Sequence, residues 1–93
     1  MKRKEVYYLI DVERDYQDRR WDNDSETRAG KSDFPDSEKS IAEWLNYIEF
    51  HLNEAKHAVY ALEPKKATAS IRKIAALAVR AMEIHGAPER KIK

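Results

Sequence analysis

Residues 41–62, IAEWLNYIEFHLNEAKHAVYAL, decide the fold of this chain. The segment has no Gly or Pro, and its apolar side chains recur at steps of three and four residues. They are Ile41, Trp44, Leu45, Ile48, Leu52, Ala55, Val59 and Leu62. This spacing is typical of an amphipathic helix. Asp36 or Ser37 is a suitable N-cap, so the sequence predicts a helix over about residues 37–62.

A second helix follows this one after a tight corner. Pro64 disfavours helical geometry at Glu63 and suits the first turn of a new helix. The next segment, about residues 65–85, has a stripe of apolar residues with Leu77, Val79 and Ile84 beside it. The stripe consists of Ile71, Ile74, Ala75, Ala78 and Met82. Gly86 is placed as a C-terminal cap. The short corner predicts an antiparallel two-helix hairpin.

The first third of the chain predicts one more helix and a long loop. Residues 5–21 contain no Gly or Pro, and their apolar positions form a rough helical stripe. Residues 22–36, DNDSETRAGKSDFPD, are polar and without period, so we expect a loop that is mobile or ordered by a ligand or a partner subunit. The fold class is therefore all-α, a single domain over residues 1–93 that ends in a basic tail at 86–93.

Length and composition limit what this domain can do. A chain of 93 residues buries little surface, and oligomerisation is the usual remedy, so we expect a helical-bundle oligomer, a dimer or larger. The absence of Cys excludes a disulfide scaffold, a thiol nucleophile and a Cys-ligated zinc site. No apolar stretch has the length of a membrane span or a signal peptide. We therefore expect a cytoplasmic protein without membrane contact.

The formal net charge of +1 hides an uneven distribution. Residues 1–10 carry a net charge of +2, residues 11–64 carry −7 and residues 65–93 carry +6. The basic end can pair with the acidic middle within the fold or between subunits, or it can bind phosphate. Solvated helix faces of mixed sign are the simpler explanation. The many carboxylates argue against a general DNA-coating role.

Most enzyme motifs are absent: there is no Gly-rich phosphate loop, no HExxH and no nucleophile elbow. The segment ERDYQDRRW at residues 13–21 is more unusual, because Arg14, Gln17 and Trp21 stand near the end of a helix beside the long loop. An indole can stack on a base, and guanidinium groups can bind phosphate. The alternative is that Trp21 packs at the edge of the core and the arginines pair with nearby acids.

The second helix carries a His51 and Glu54 pair, three residues apart on one face. Such a pair can ligate a metal, but two ligands are too few for a protein metal site. The facing stripe of the third helix includes Lys73 and Arg80. Cations there repel a divalent metal and favour a phosphate. We therefore expect no metal and no cofactor.

Three segments resemble the all-α nucleotide pyrophosphohydrolases of the MazG-like superfamily. Residues 13–21 look like the family's ERxxQDxxW opening, residues 48–55 (IEFHLNEA) stand where the family has its EExGE helix, and residues 71–79 (IRKIAALAV) look like its later helix. The likeness covers roughly residues 5–86. It implies an all-helical fold and a nucleotide pocket lined by the first helix, the hairpin and the loop.

The chain departs from this family at the catalytic positions. The family holds magnesium with two pairs of carboxylates, and of these only Glu54 is matched here. His51 stands at the first carboxylate, and Ser70 and Lys73 stand at the second pair. Without these carboxylates the chain loses the magnesium ion that would activate water and neutralise the charge of the phosphate. The resemblance therefore implies an inactive relative that keeps a nucleotide pocket.

A small nucleotide-binding protein without catalysis is similar in type to phage sponges that sequester immune signals, such as the Sequestin and Lockin families. We therefore expect an anti-defence protein that binds an ADP-ribose-derived or cyclic nucleotide. The residues expected to bind it are Arg14, Gln17, Trp21, His51, Glu54, Arg72, Lys73 and Arg80. Two alternatives stay open: a metal-dependent pyrophosphohydrolase of MazG-like type, and a structural helical interaction protein.

Overall fold

The computed structural model describes residues 1–24 and 35–91, and for residues 21–24 it describes the backbone alone. It contains three α-helices, α1 (Arg3–Asp24), α2 (Ile41–Tyr60) and α3 (Pro64–His85), and one 3₁₀ turn, Asp36–Glu38. Strands are absent from these residues, so the predicted all-α class is confirmed. In the same part of the chain, no helix combines the length and the apolar character that a membrane span requires.

The start of α2 differs from the predicted one. Ser40 is the N-cap: its side chain accepts a hydrogen bond from the Glu43 backbone N–H, and the Glu43 carboxylate accepts one from the Ser40 backbone N–H, both at 3.2 Å. This reciprocal arrangement satisfies two N–H groups of the helix terminus at once. Neither Asp36 nor Ser37 caps the helix, because both lie in the 3₁₀ turn and the Asp36 carboxylate binds Arg80.

The corner between α2 and α3 occupies residues 61–63. Leu62, within this corner, has a φ of 59°, in the left-handed region. The Glu63 N–H donates to the Ala58 carbonyl at 2.9 Å, and Pro64 takes the first position of α3, where its missing N–H costs no hydrogen bond. The helix predicted to end near residue 62 therefore ends at Tyr60.

Small side chains fill most of the contact between α2 and α3. The buried residues of these two helices are Trp44, Ala55, Ala58, Ala67, Ser70, Ala76 and Leu77. Trp44 is 1% exposed and is the only large side chain of the described residues that is fully buried. The ends away from the corner also meet, because His85 Nε2 donates to the Lys39 carbonyl at 2.9 Å. Gly86, with a φ of 79°, then ends α3 as predicted.

Helix α1 packs against α3 through polar residues. Its predicted apolar stripe is not the fully buried face: Ile10 is half-buried, and the other members are exposed, namely Val6, Leu9, Val12 and Tyr16. The buried residues are instead Glu13, Arg14 and Gln17, since these side chains find partners on α3. The helix also extends past the predicted residues 5–21 at both ends, so residues 22–24 of the predicted loop are helical. Residues 25–34 of that loop lie outside the described residues.

Candidate functional site

A surface depression of about 450 Å³ lies beside the corner, between the last turns of α2 and the first turns of α3. Small-ligand sites in proteins have volumes of roughly 300–1,000 Å³, so a nucleotide-sized molecule fits this volume. The depression is lined by Glu54, His57, Ala58, Ala61, Glu63, Lys66, Ala69, Ser70 and Lys73. Its lining thus combines alanines with charged and polar side chains.

The charged groups of the depression differ in how they are paired. Lys66 Nζ lies 3.1 Å from Glu63 Oε2, and Glu54 Oε1 lies 2.5 Å from His51 Nδ1. Lys73 makes no ion pair with any residue that the structure describes. The buried Ser70 lies three residues before it on the same side of α3. Lys73 is therefore the lysine of the depression that an anion can approach without displacing an ion-pair partner.

Three of the eight predicted ligand residues belong to this region. Glu54 and Lys73 line the depression, and His51 adjoins it through its contact with Glu54. The backbone of Trp21 lies in α1, and its side chain lies outside what the structure describes. The remaining four predicted residues, Arg14, Gln17, Arg72 and Arg80, lie among the contacts of α3 with α1 and with the turn Asp36–Glu38.

Arg14 is the centre of the α1–α3 contact. It is buried, its Nε donates to Glu83 Oε1 at 2.8 Å, and it also binds Asp18 one turn along its own helix. Burial alone would lower the pKa of Arg14, but the hydrogen bonds with Glu83 and Asp18 outweigh it and raise this pKa above its ordinary value. The bond from Arg14 also lowers the pKa of the Glu83 carboxyl. The pair is therefore ionised over the whole neutral range.

The other two arginines are engaged in the same way. Arg72 Nε donates to Glu13 Oε1 at 2.8 Å, and Arg80 Nε donates to Asp36 Oδ2 at 3.1 Å. Arg80 Nη1 reaches Glu83 as well, at 3.1 Å. These bonds join the basic third helix to the acidic middle of the chain, one of the arrangements that the charge distribution allows. They also compensate the guanidinium charges within the subunit.

Gln17 completes the contact. Its Nε2 donates to the Lys73 carbonyl at 3.5 Å, and its buried Oε1 has no hydrogen-bond partner within the described part of the chain. Gln17 therefore ties α1 to the turn of α3 that carries Lys73. Its side chain is buried, and it is not one of the residues that line the depression.

Sequence reasoning missed part of the lining of the depression. Lys66 and His57 were not among the eight predicted ligand residues, yet both line the depression. The signal that could have found Lys66 is spacing, because Lys66, Ser70 and Lys73 recur at steps of four and three on one face of α3. In the described residues, no group of three or more His, Asp or Glu is arranged to hold a metal ion.

Comparison with known proteins adds no relative. The chain matches no protein-family model, and it has no significant match among curated proteins or solved structures. The MazG-like resemblance thus depends on the three sequence segments alone. In the structure, residues 13–21 lie on α1, residues 48–55 on α2 and residues 71–79 on α3.

Proposed function

We propose that this protein binds a phosphate-bearing nucleotide without hydrolysing it, in the depression between α2 and α3. The single observation that carries the proposal is Lys73, which lines the depression and has no ion-pair partner among the described residues. A lysine ammonium attracts a phosphate as a point charge and can donate to its oxygens. The Ser70 hydroxyl, on the same face of α3, is a second donor for the same phosphate.

Glu54, which also lines the depression, can bind the ribose or the base of the same nucleotide. Glu54 can accept hydrogen bonds from ribose hydroxyl groups or from a base amino group, and His51 holds this carboxylate in place. Arg14, Arg72 and Arg80 are each paired with carboxylates inside the subunit, so a phosphate would have to displace those partners. We therefore assign these arginines to positioning α1 and the 3₁₀ turn.

The proposal excludes hydrolysis because of the residues that stand at the positions of the resembled family's carboxylates. His51, Ser70 and Lys73 cannot supply the negative charge that binds magnesium beside a phosphoanhydride. Lys73 instead repels a divalent cation. A binder of this kind would act as a sponge, and we propose that it sequesters a nucleotide immune signal in the cytoplasm of a phage-infected cell, as the likeness in type to phage sponges implies.

We further propose that α2 and α3 form an antiparallel hairpin and that the chain works as a homo-oligomeric helical bundle. The corner at residues 61–63 and the bond between His85 and Lys39 at the opposite ends of the two helices support the hairpin. Extensive exposed apolar surface supports the assembly.

Native mass spectrometry tests the proposed function directly. The protein is incubated with a panel of nucleotides and cyclic signalling nucleotides, with and without magnesium, and mass shifts and products are recorded together. We expect an intact nucleotide to be retained without magnesium. Product formed only with magnesium would support the pyrophosphohydrolase instead.

A matched pair of charge reversals locates the site. Lys73→Glu should abolish the binding measured by calorimetry, because it places a carboxylate where the phosphate lies. Lys4→Glu makes the same change of charge at the exposed start of α1 and should leave binding unchanged. Normal binding by Lys73→Glu would show that the depression is not the site.

A structural interaction protein is the second candidate. The observation that favours it is the number of large apolar side chains left exposed, such as Leu45, Phe50 and Tyr60. A protein of this kind should retain no nucleotide from the panel. It should instead form a complex of defined stoichiometry with one protein partner.

A further inference from the structure

Helix α2 carries an apolar stripe that the subunit does not cover. Ile41, Leu45, Leu52 and Val59 are exposed for 43% to 62% of their surface, and Ile48, between them, is half-buried. Their spacing of four, three, four and seven residues places all five on one side of the helix. An apolar stripe about 30 Å long is too extended to be scattered surface residues.

Helix α3 carries a second stripe of the same kind. Ile71 and Met82 are exposed, and Ala75 and Ala78, between them, are half-buried. The spacing is four, three and four residues, so the four side chains again share one side of a helix. This stripe offers smaller side chains than the stripe of α2, which permits close approach of another helix.

The two stripes lie on the same side of the α2–α3 pair. Leu45 and Glu54 are nine residues apart on α2, which places them about 180° apart around the helix axis. Lys73 and Met82 are also nine residues apart, on α3, and so are likewise about 180° apart. Glu54 and Lys73 both line the depression. The stripes therefore form one surface opposite the depression, which we name the apolar face: Ile41, Leu45, Leu52, Val59, Ile71 and Met82.

The accessible surface of the subunit indicates how much must be covered. The chain exposes 7887 Å², whereas a monomeric protein of 10.9 kDa exposes about 5,600 Å². Residues 25–34 and 92–93 can account for at most about 1,900 Å² of this surface, at about 1.45 Å² per dalton. The remaining surface of about 6,000 Å² exceeds by about 900 Å² the roughly 5,100 Å² expected for a monomer of the remaining mass, about 9.6 kDa. Each partner of a standard interface buries about 800 Å². The excess thus corresponds to one such interface.

We infer that the apolar face binds the same face of a second copy of this chain, so that two α2–α3 pairs form a four-helix bundle. The area is that of one interface, and a two-fold dimer joins the same patch on both subunits and so covers both faces at once. A subunit in which Trp44 is the only fully buried large side chain among the described residues also needs this added core. The inference names the partner of the proposed assembly, and it does not depend on the ligand.

The geometry separates assembly from ligand binding. Because the apolar face and the depression lie on opposite sides of the α2–α3 pair, the bundle leaves both depressions open to solvent. Lys73→Glu should therefore remain a dimer. A wild-type dimer that retains no nucleotide would contradict the proposed nucleotide binding alone. A monomer that retains one would contradict the proposed assembly and this inference but not the nucleotide binding.

The first test compares two substitutions on one helix. Leu45→Glu lies in the apolar face, whereas Phe50→Glu makes the same kind of change at a residue of similar exposure, 62% against 57%, about 140° away around α2. By light scattering during gel filtration we expect a wild-type dimer and a Phe50→Glu dimer. Leu45→Glu should associate at least about 100-fold more weakly, because the dimer would bury two added charges. A monomeric wild type, or a Leu45→Glu variant as dimeric as the control, would overturn the inference.

A second test needs no substitution and stays decisive if Leu45→Glu fails to fold. Peroxide oxidises methionines according to their exposure. Met1 and Met82 are 84% and 46% exposed in the subunit, so a monomer should oxidise them at rates within roughly twofold of each other. In the proposed dimer, Met82 should react at least about tenfold more slowly than Met1. Similar rates for both methionines in the native protein would exclude the interface.

Discussion

The two helix contacts of this subunit are built from different chemistry. Helices α2 and α3 meet through Trp44, Leu77 and a set of alanines, whereas α1 meets α3 through Glu13, Arg14 and Gln17. Apolar burial is non-directional and stabilises in proportion to area. In a buried ion pair, the cost of desolvating the two charges offsets much of their Coulomb attraction, but the pair forms only when its two side chains are in the right relative position. The comparison indicates that α2 and α3 supply the cohesion of the fold and that the charged contact positions α1.

This difference has a consequence for stability. Truncation of a buried side chain should weaken the α2–α3 contact, whereas a change of pH should leave this contact unchanged. The α1–α3 contact should respond to charge and pH, and α1 should be able to detach while α2 and α3 stay folded. Four measurements, from the largest expected effect to the smallest, test whether the two contacts differ in this way.

Trp44→Ala should have the largest effect. It removes the one large, fully buried side chain of the described residues and leaves a cavity between α2 and α3, so we expect a loss of about 3–5 kcal/mol in the free energy of unfolding. Urea unfolding followed by circular dichroism measures it. Phe50→Ala, an exposed aromatic on the same helix, should change stability by no more than about 0.5 kcal/mol. Equal losses for the two variants would mean that α2 is not held by Trp44.

Arg14→Met should act on α1 alone. The change keeps much of the buried stem of the side chain and removes its hydrogen bonds to the charged groups of Glu83 and Asp18. We therefore expect the free energy of opening of α1, as measured by hydrogen exchange, to fall by about 1.5–3 kcal/mol. Hydrogen exchange should show faster exchange in α1 and unchanged exchange in α2 and α3. Arg19→Met, at an exposed position of α1, is the control. Uniform acceleration in all three helices would show a single cooperative unit.

Acid should weaken the same contact to a smaller extent. The bond from Arg14 lowers the pKa of Glu83 in the folded state, so its stabilising contribution is complete above the ordinary carboxyl pKa of 4.5 and disappears as the pH falls through the folded value. The pKa of Arg14 is raised, so that group stays charged throughout this range. Glu83, which also faces Arg80, is 43% exposed, so solvent screening keeps the effect small.

Exchange of the α1 amides, corrected for the intrinsic rate, should therefore stay constant from pH 7 to about pH 5 and rise below about pH 4.5. Glu83→Gln should remove this rise, because an amide does not titrate. The amides of α2 and α3 should show no transition in this range. A wild-type profile that matches Glu83→Gln would mean that another carboxylate controls the contact.

Leu62→Gly should have the smallest effect and the opposite sign. Leu62 has a φ of 59° and is 86% exposed, so its side chain contributes little packing and its backbone is strained. Glycine removes a left-handed cost of about 1–2 kcal/mol but has more freedom when unfolded, so we expect a net gain of no more than about 1 kcal/mol. The melting temperature should rise by a few degrees. Leu62→Ala, which keeps the strain, should show no gain.

Several features of the fold could be predicted because their causes are local. The apolar period from Ile41 to Val59, the proline at 64 and the glycine at 86 each act within a few residues along the chain. The true start of α2 was also present in the sequence, because Ser40 and Glu43 have the spacing of a capping box. The choice of Asp36 or Ser37 overlooked that pair.

The candidate site could be predicted only in part. Lys73 and Glu54 were selected on their helix faces, and both line the depression. Arg14, Arg72 and Arg80 were predicted to bind phosphate, and the structure shows each of them paired with a carboxylate. Arg14 and Glu83 are 69 residues apart, so no local pattern indicates that one compensates the other.

The sequence alone therefore determines that this chain forms helices and where they turn, because hydrogen bonding and capping within a helix act over three or four residues. The tertiary structure alone decides which face of α1 is buried, which arginines are already paired and which side of the α2–α3 pair remains apolar and exposed. These outcomes depend on contacts between residues far apart in the chain, whose free energies appear only when the helices pack against one another.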